Sequence, residues 1–100
     1  MSAQGTIEIG SLITRSDGIK RGAPRIAGTG ITVRTIARWH QQGVTPDEIA
    51  AKYASLSLAQ VHAALAHYYA NREEVDADIV RQDEEAARIE AELAVRPARR

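Results

Sequence analysis

The sequence predicts a mainly α-helical protein with a short N-terminal β-hairpin, a tri-helical helix-turn-helix core and a long C-terminal helix. Three observations support this fold class. Alanine is abundant and phenylalanine is absent, which favours an aliphatic, helical core. The stretch Thr45-Pro46-Asp47-Glu48 is a capping box with proline at the first helical position, which is a sharp helix-start signal. Mostly apolar residues near the C-terminus recur at alternating intervals of four and three, which is a heptad pattern.

The hairpin is predicted from short extended stretches separated by glycines. Residues 7–13 alternate enough for a short strand, and residues 24–27 and 31–33 fit two further extended pieces. Gly28 and Gly30 lie between these two pieces, and both are expected to supply the positive φ of a turn. The spacing of the glycines matches neither a Walker loop nor a dinucleotide fingerprint. The predicted turn residues are therefore scaffold: Gly22, Pro24, Gly28 and Gly30.

The helices follow from residue 32 onward. Thr32 is expected to cap a first helix that ends at Gly43, the capping box at Thr45 begins a short second helix, and Ser57 caps a third. A final helix is predicted over residues 72–94, with Asn71 as the break before it. The chain is accordingly divided into residues 1–71, the hairpin and helix-turn-helix domain, and residues 72–100, an acidic helix with a basic tail. The inner face of the third helix is predicted to carry Leu58, Val61, Ala64, Leu65 and Tyr68.

Charge is distributed unevenly along a chain whose formal net charge is zero. Residues 15–38 hold six lysines and arginines against the single acid Asp17, whereas residues 73–92 hold nine acids against two arginines. Such a division indicates two different contact surfaces.

The basic segment supplies candidate DNA contacts. Arg34 and Arg38 lie four apart on one face of the first helix, where they would suit phosphates. The third helix offers only a stripe of alanines outward, so DNA binding is expected to be electrostatic rather than base-reading. Two other interpretations stay open: the arginines pair with the acidic helix, and the alanine stripe seats another helix. The candidate DNA-binding residues are Arg21, Arg25, Arg34, Arg38, Gln60 and His62, and the stripe is Ala59, Ala63, Ala66 and Ala70.

The heptad seam of the last helix is a candidate partner-binding surface. Its flanking positions are all acidic, which disfavours a parallel homodimer because like charges would face each other. The seam is expected to dock in an apolar, basic-rimmed groove on another protein. A truncation after Asn71 is then expected to stay folded. The alternative is that the seam folds back on its own domain, with Arg34 or Arg38 opposite its acids. The seam consists of Val75, Ile79, Gln82, Ala86, Ile89 and Leu93.

Several function classes are disfavoured. The chain has no cysteine, so thiolate metal sites are excluded. The histidines show no zinc-protease spacing and no nucleophile motif is present. We therefore expect a non-enzymatic protein without cofactor or metal. No run is apolar enough for a membrane span, and the expected location is the cytoplasm.

The chain resembles the domain of unknown function 433 family. GAPRIAGTGITVR at residues 22–34 is similar to the family hallmark GxPxIxGTRIxV, except that Gly30 stands where the family has arginine. GVTPDEI at residues 43–49 and the segments LSLAQV and AALAHYY at residues 56–69 resemble the motifs that follow. The resemblance implies a winged or homeodomain-like helix-turn-helix fold. It also implies the antitoxin half of a type II toxin–antitoxin pair, with a PIN-like ribonuclease as the toxin.

The first functional hypothesis is therefore an antitoxin-like protein that neutralises a toxin, forms a homodimer and binds its own operator DNA. Two alternatives remain. One is a stand-alone DNA-binding transcriptional regulator without a toxin, and the other is a helical adaptor that forms homo-oligomers.

Overall fold

A computed structural model describes residues 6–95 of the chain. It confirms a mainly helical protein with a short two-stranded hairpin near the N-terminus and a long C-terminal helix. The elements, in chain order, are a 3₁₀ helix at Ile9–Leu12, β1 at Ile13–Thr14, a tight turn at Lys20–Gly22, β2 at Arg25–Ile26, α1 at Val33–Gln41, α2 at Pro46–Ala51, α3 at Leu58–Ala70 and α4 at Arg72–Val95.

The hairpin joins β1 to β2 in antiparallel register, with Ile13 opposite Ile26. The strand predicted over residues 7–13 is wrong for most of its length, because residues 9–12 form a 3₁₀ helix. The two later extended pieces do pair with each other. Ile26 N–H donates to the Ile31 carbonyl at 2.8 Å, and Val33 N–H donates to the Pro24 carbonyl at 2.9 Å.

Only one of the two glycines in the turn between these pieces has a positive φ. Gly28 has φ +82°, a region that L-residues rarely adopt. Gly30 is not among the positive-φ residues, so the expectation for Gly30 is wrong. The reason is local: the Thr29 hydroxyl donates to the Ile26 carbonyl at 2.8 Å and accepts from Ile31 N–H at 3.0 Å. These two bonds close the turn without a second left-handed residue.

The predicted helix starts are confirmed by their caps. The Thr32 side chain accepts from Thr35 N–H at the start of α1. Reciprocal capping boxes begin the next two helices, from Thr45 to Glu48 in α2 and from Ser57 to Gln60 in α3. Each box satisfies two backbone donors that the helix itself leaves free.

One core unites the hairpin and all four helices. Its largest fully buried side chains are Val33, Ile36, Ile49, Val61 and Tyr68 together with Ile26 from the hairpin. The core continues beyond residue 71, because Val75 and Ile79 of α4 belong to the same cluster. The expectation for Leu58 is wrong: this side chain lies in the first turn of α3 and is exposed.

Candidate functional site

Three arginines from the N-terminal half face three carboxylates of α4. We call Arg15, Arg34 and Arg38 the arginine row, and Glu74, Asp78 and Asp83 the acidic row. The N–O distances are 3.0 Å for Arg15–Glu74, 2.6 Å for Arg34–Asp78 and 2.8 Å for Arg38–Asp83. The partners follow the same order on both sides, so α4 runs along the arginine row. The interpretation in which the acidic helix folds back on its own domain therefore describes the first half of α4.

The central pair is the most shielded of the three. The side chains of Arg34 and Asp78 are 18% and 27% exposed, and Arg81 also binds Asp78 at 2.7 Å. Burial raises the pKa of Asp78, but hydrogen bonds and charge attraction from Arg34 and Arg81 outweigh it and hold that pKa below its usual range. Asp78 is thus a stable anion between two guanidinium groups.

The structure does not bring the six predicted DNA contacts to one free surface. Arg25 is half-buried and donates to the Thr29 carbonyl at 3.1 Å, where it braces the hairpin turn. Gln60 Oε1 accepts from Ser57 N–H at 2.7 Å in the capping box of α3. Arg34 and Arg38 are ion-paired to α4, while Arg21 and His62 are exposed. A side chain already bonded inside the fold is not available to read a base edge.

A groove that was missed in the sequence lies between the Lys20–Gly22 turn and α4. Its volume is about 480 Å³. Lys20 and Arg21 have φ of 51° and 56°, so two non-glycine residues adopt the left-handed conformation before Gly22 at φ 77°. A Cβ on Gly30 would lie 3.7 Å from Lys20 Cε, so the lysine stem covers the position where the resemblance implies an arginine.

The alanine stripe of α3 is partly covered by the chain itself. Ala63 is buried, contrary to the expectation that it faces outward, because the 3₁₀ helix packs across α3. A second cavity of about 480 Å³ lies where the 3₁₀ helix and β1 meet α3. His67 lines it, and its Nε2 is buried without a hydrogen-bond partner within residues 6–95. Burial lowers the pKa of His67, Arg15 adds to the lowering, and Glu74 opposes it.

A hydrogen-bonded cluster fixes the N-terminal part of α4. The Tyr68 hydroxyl donates to Asp76 Oδ1 at 2.8 Å, and Gln41 Nε2 donates to the same hydroxyl at 3.0 Å. His40 is hydrogen-bonded to the Tyr69 hydroxyl. The cluster links the ends of α1 and α3 to α4.

The predicted heptad seam is divided by the fold. Val75 and Ile79 are buried against the domain, so the exposed part of the predicted partner-binding set begins after them. Gln82 and Ala86 are exposed, and Ile89 and Leu93 are 46% and 63% exposed. We call residues 84–94 the distal half of α4; apart from the half-buried Glu85, every residue in it is exposed.

Two findings on the described residues concern metals and membranes. Within residues 6–95, no group of three or more histidine or acidic residues is arranged to hold a metal ion. None of the helices in that range is both long and apolar enough to cross a membrane.

Comparison with known proteins identifies the family. The model of the family described as "Protein of unknown function (DUF433)" matches residues 13–69. The structure is similar to the crystal structure of a DUF433 member protein from Anabaena variabilis ATCC 29413, with a TM-score of 0.66 and 33% sequence identity over 70% of this chain and 69% of that one. No curated protein matches the chain. Because the family model spans more than half of the chain and includes the hairpin and the three core helices, the protein belongs to the DUF433 family.

Proposed function

We propose that this protein is an antitoxin-like binding protein that captures and neutralises a partner toxin through the distal half of α4. The observation that supports this most directly is the exposed apolar pair Ile89 and Leu93 on a helix that extends beyond the domain. Residues four apart lie on the same face of a helix, so these two side chains form one apolar strip. An unburied strip of this kind is typical of a helix that binds in a groove of another protein.

Charge complementarity defines the chemistry of the partner. The strip is accompanied by Glu84, Glu85, Glu90 and Glu92, with Arg88 as the one basic residue of the distal half. A groove that accepts it is therefore apolar at its floor and basic at its rim. The resemblance to the family supplies the partner class, a PIN-like ribonuclease. In this proposal the protein has no catalytic role of its own.

The proposal is tested with full-length variants and the protein encoded by the adjacent reading frame, co-expressed and purified together. Ile89→Asp with Leu93→Asp places charge in the strip, and it is expected to abolish capture and restore ribonuclease activity. Val80→Asp is the matched control. Val80 is also exposed, and it lies on the opposite side of the helix because nine residues complete about two and a half turns. Capture by the double variant with unchanged affinity would overturn the proposal.

The same variants separate the rival functions. If the parent chain self-associates in light scattering and the double variant is monomeric, the strip is a seam between copies of this chain, as in the homo-oligomeric adaptor. If no partner is captured and the chain binds DNA alone, it is a stand-alone regulator.

DNA binding is the second proposed activity, and the arginine row favours it. Arg34 and Arg38 lie one turn apart on α1, beside Arg15. In this proposal the contacts are made to phosphates and are sensitive to salt. Arg34→Ala with Arg38→Ala is expected to weaken binding to all duplex sequences alike and to reduce the salt dependence. Loss of operator preference on Gln60→Ala or His62→Ala alone, with bulk affinity retained, would instead assign base reading to α3.

A further inference from the structure

Every arginine of the arginine row is already bound to a carboxylate of α4. The three ion pairs connect the N-terminal half of the chain to α4, in matching order. Val75 and Ile79 are buried between these pairs, so the first half of α4 is held in place by packing as well as by charge. The carboxylates of α4 therefore cover the arginines that are proposed above to bind DNA.

The spacing of the acidic row along the helix axis is close to that of alternate phosphates in one nucleic-acid strand, with Glu74 and Asp83 on opposite sides of α4 because nine residues separate them. With a rise of about 1.5 Å per residue, Glu74, Asp78 and Asp83 are spaced along the helix axis by about 6 Å and 7.5 Å. One strand of duplex DNA carries a phosphate about every 3.4 Å along its axis, so alternate phosphates are separated by about 7 Å along that axis. Carboxylates and phosphates also accept the same guanidinium hydrogen bonds.

We propose that the arginine row is a surface for a polyanion of the nucleic-acid type, and that the acidic row of α4 occupies it as an intramolecular substitute for phosphates. This inference rests on the proposed DNA-binding activity and adds its regulation. The parent chain binds duplex DNA weakly, because each phosphate contact must first displace a carboxylate. Glu74 and Asp83, which are 56% and 57% exposed, are more readily displaced than Asp78, which is 27% exposed.

The test compares two full-length double variants of equal net charge. Asp78→Asn with Asp83→Asn removes two carboxylates from the arginine row. Glu90→Gln with Glu92→Gln removes two from the distal half of α4, where neither residue is ion-paired within the described part of the chain. The probe is a short duplex of mixed sequence at low salt. The first variant is expected to bind roughly tenfold more tightly than the parent, with a salt slope steeper by about 1 to 2, whereas the second gains less than about twofold.

Folding is monitored by thermal unfolding, because Asp78 is partly buried. If the double variant does not fold, the single change Asp83→Asn is compared with Glu92→Gln, since Asp83 is 57% exposed and tolerates neutralisation. An equal gain in both variants means that only net charge matters and overturns the proposal.

No gain in the first variant also overturns the proposal, and the parent then separates the two causes. If the parent binds the duplex, DNA binding stands without masking. If neither chain binds, DNA binding fails as well. Partner capture is measured separately through Ile89 and Leu93, so its result is independent of both.

Discussion

Arg34 and Asp78 form a 2.6 Å ion pair although 44 residues separate them along the chain. The pair connects the first turn of α1 to the second turn of α4, directly beside the buried side chains of Val75 and Ile79. It therefore fixes the position of the long helix on the domain, and it also neutralises an arginine that the sequence alone assigns to nucleic acid.

Removing Asp78 is expected to destabilise the protein. Asp78→Ala leaves the mostly buried Arg34 without its acceptor, and the free energy of unfolding is expected to fall by about 1–2 kcal/mol. Glu85→Ala is the control, because Glu85 and Arg88 form a 3.8 Å pair whose side chains are 44% and 63% exposed, and its loss costs about 0.5 kcal/mol or less. Urea unfolding of both variants measures the difference. Equal losses would show that the Arg34–Asp78 pair contributes no more than a surface contact.

Stability is expected to fall as the pH drops below the usual pKa of histidine. Burial and Arg15 lower the pKa of His67, so the folded state favours the neutral ring more than the unfolded chain does. The stabilisation is complete above the unfolded value of about 6.5 and is lost as the pH falls through the lowered pKa of the folded state.

Two histidine variants on the same helix test this pH dependence. His67→Gln removes the titrating group, and the loss of stability below pH ~6.5 should become smaller. His62→Gln is the control, because His62 is exposed and the pH dependence should remain. The measurement is the free energy of unfolding of the parent and both variants at a series of pH values above and below pH ~6.5. A parent whose stability does not change over this range contradicts the prediction.

The two glycines of the hairpin turn are expected to differ in their tolerance of alanine. Gly28→Ala forces a Cβ into φ +82° and should destabilise the fold by about 1 kcal/mol. Gly30→Ala should be nearly neutral, because its φ is not positive and the new Cβ would make ordinary contact with Lys20 Cε at 3.7 Å. Melting temperatures provide the measurement. The turn assignment fails if Gly30→Ala is the more damaging change.

The first half of α4 is expected to be part of the cooperative fold. Val75 is 4% exposed and Val80 is 55% exposed, so these two valines of α4 form a matched pair. Val75→Ala should lower the unfolding free energy by about 1–2 kcal/mol, whereas Val80→Ala should change it by less than about 0.5 kcal/mol. If both variants unfold like the parent, α4 is not packed on the domain.

The same burial revises the expectation for a truncation after Asn71. Such a chain loses Val75 and Ile79 from the core, along with all three acidic partners of the arginine row. We now expect it to be strongly destabilised, because each fully buried aliphatic side chain contributes about 1.5–3 kcal/mol. A truncation that is as stable as the parent would support the predicted division at residue 71.

Local sequence determined much of this protein. The capping residues Thr32, Thr45 and Ser57 start their helices where the sequence predicts, because a cap requires only residues three positions apart. Gly28 takes the left-handed conformation that its turn needs. The family motifs of the hairpin and core helices also lie in continuous stretches, so the family was recognisable before the structure.

Tertiary structure decided which of the candidate residues remain available. The heptad spacing of α4 is continuous in sequence, yet Val75 is buried and Leu93 is exposed, because the helix extends past the end of the domain. Arg25 and Gln60 are polar in sequence, but their side chains form hydrogen bonds within the hairpin turn and within the N-terminal cap of α3. The pairing of Arg34 with Asp78 depends on how α1 and α4 pack against each other. No pattern within either helix specifies that geometry, because it follows from the shape of the core that both helices share.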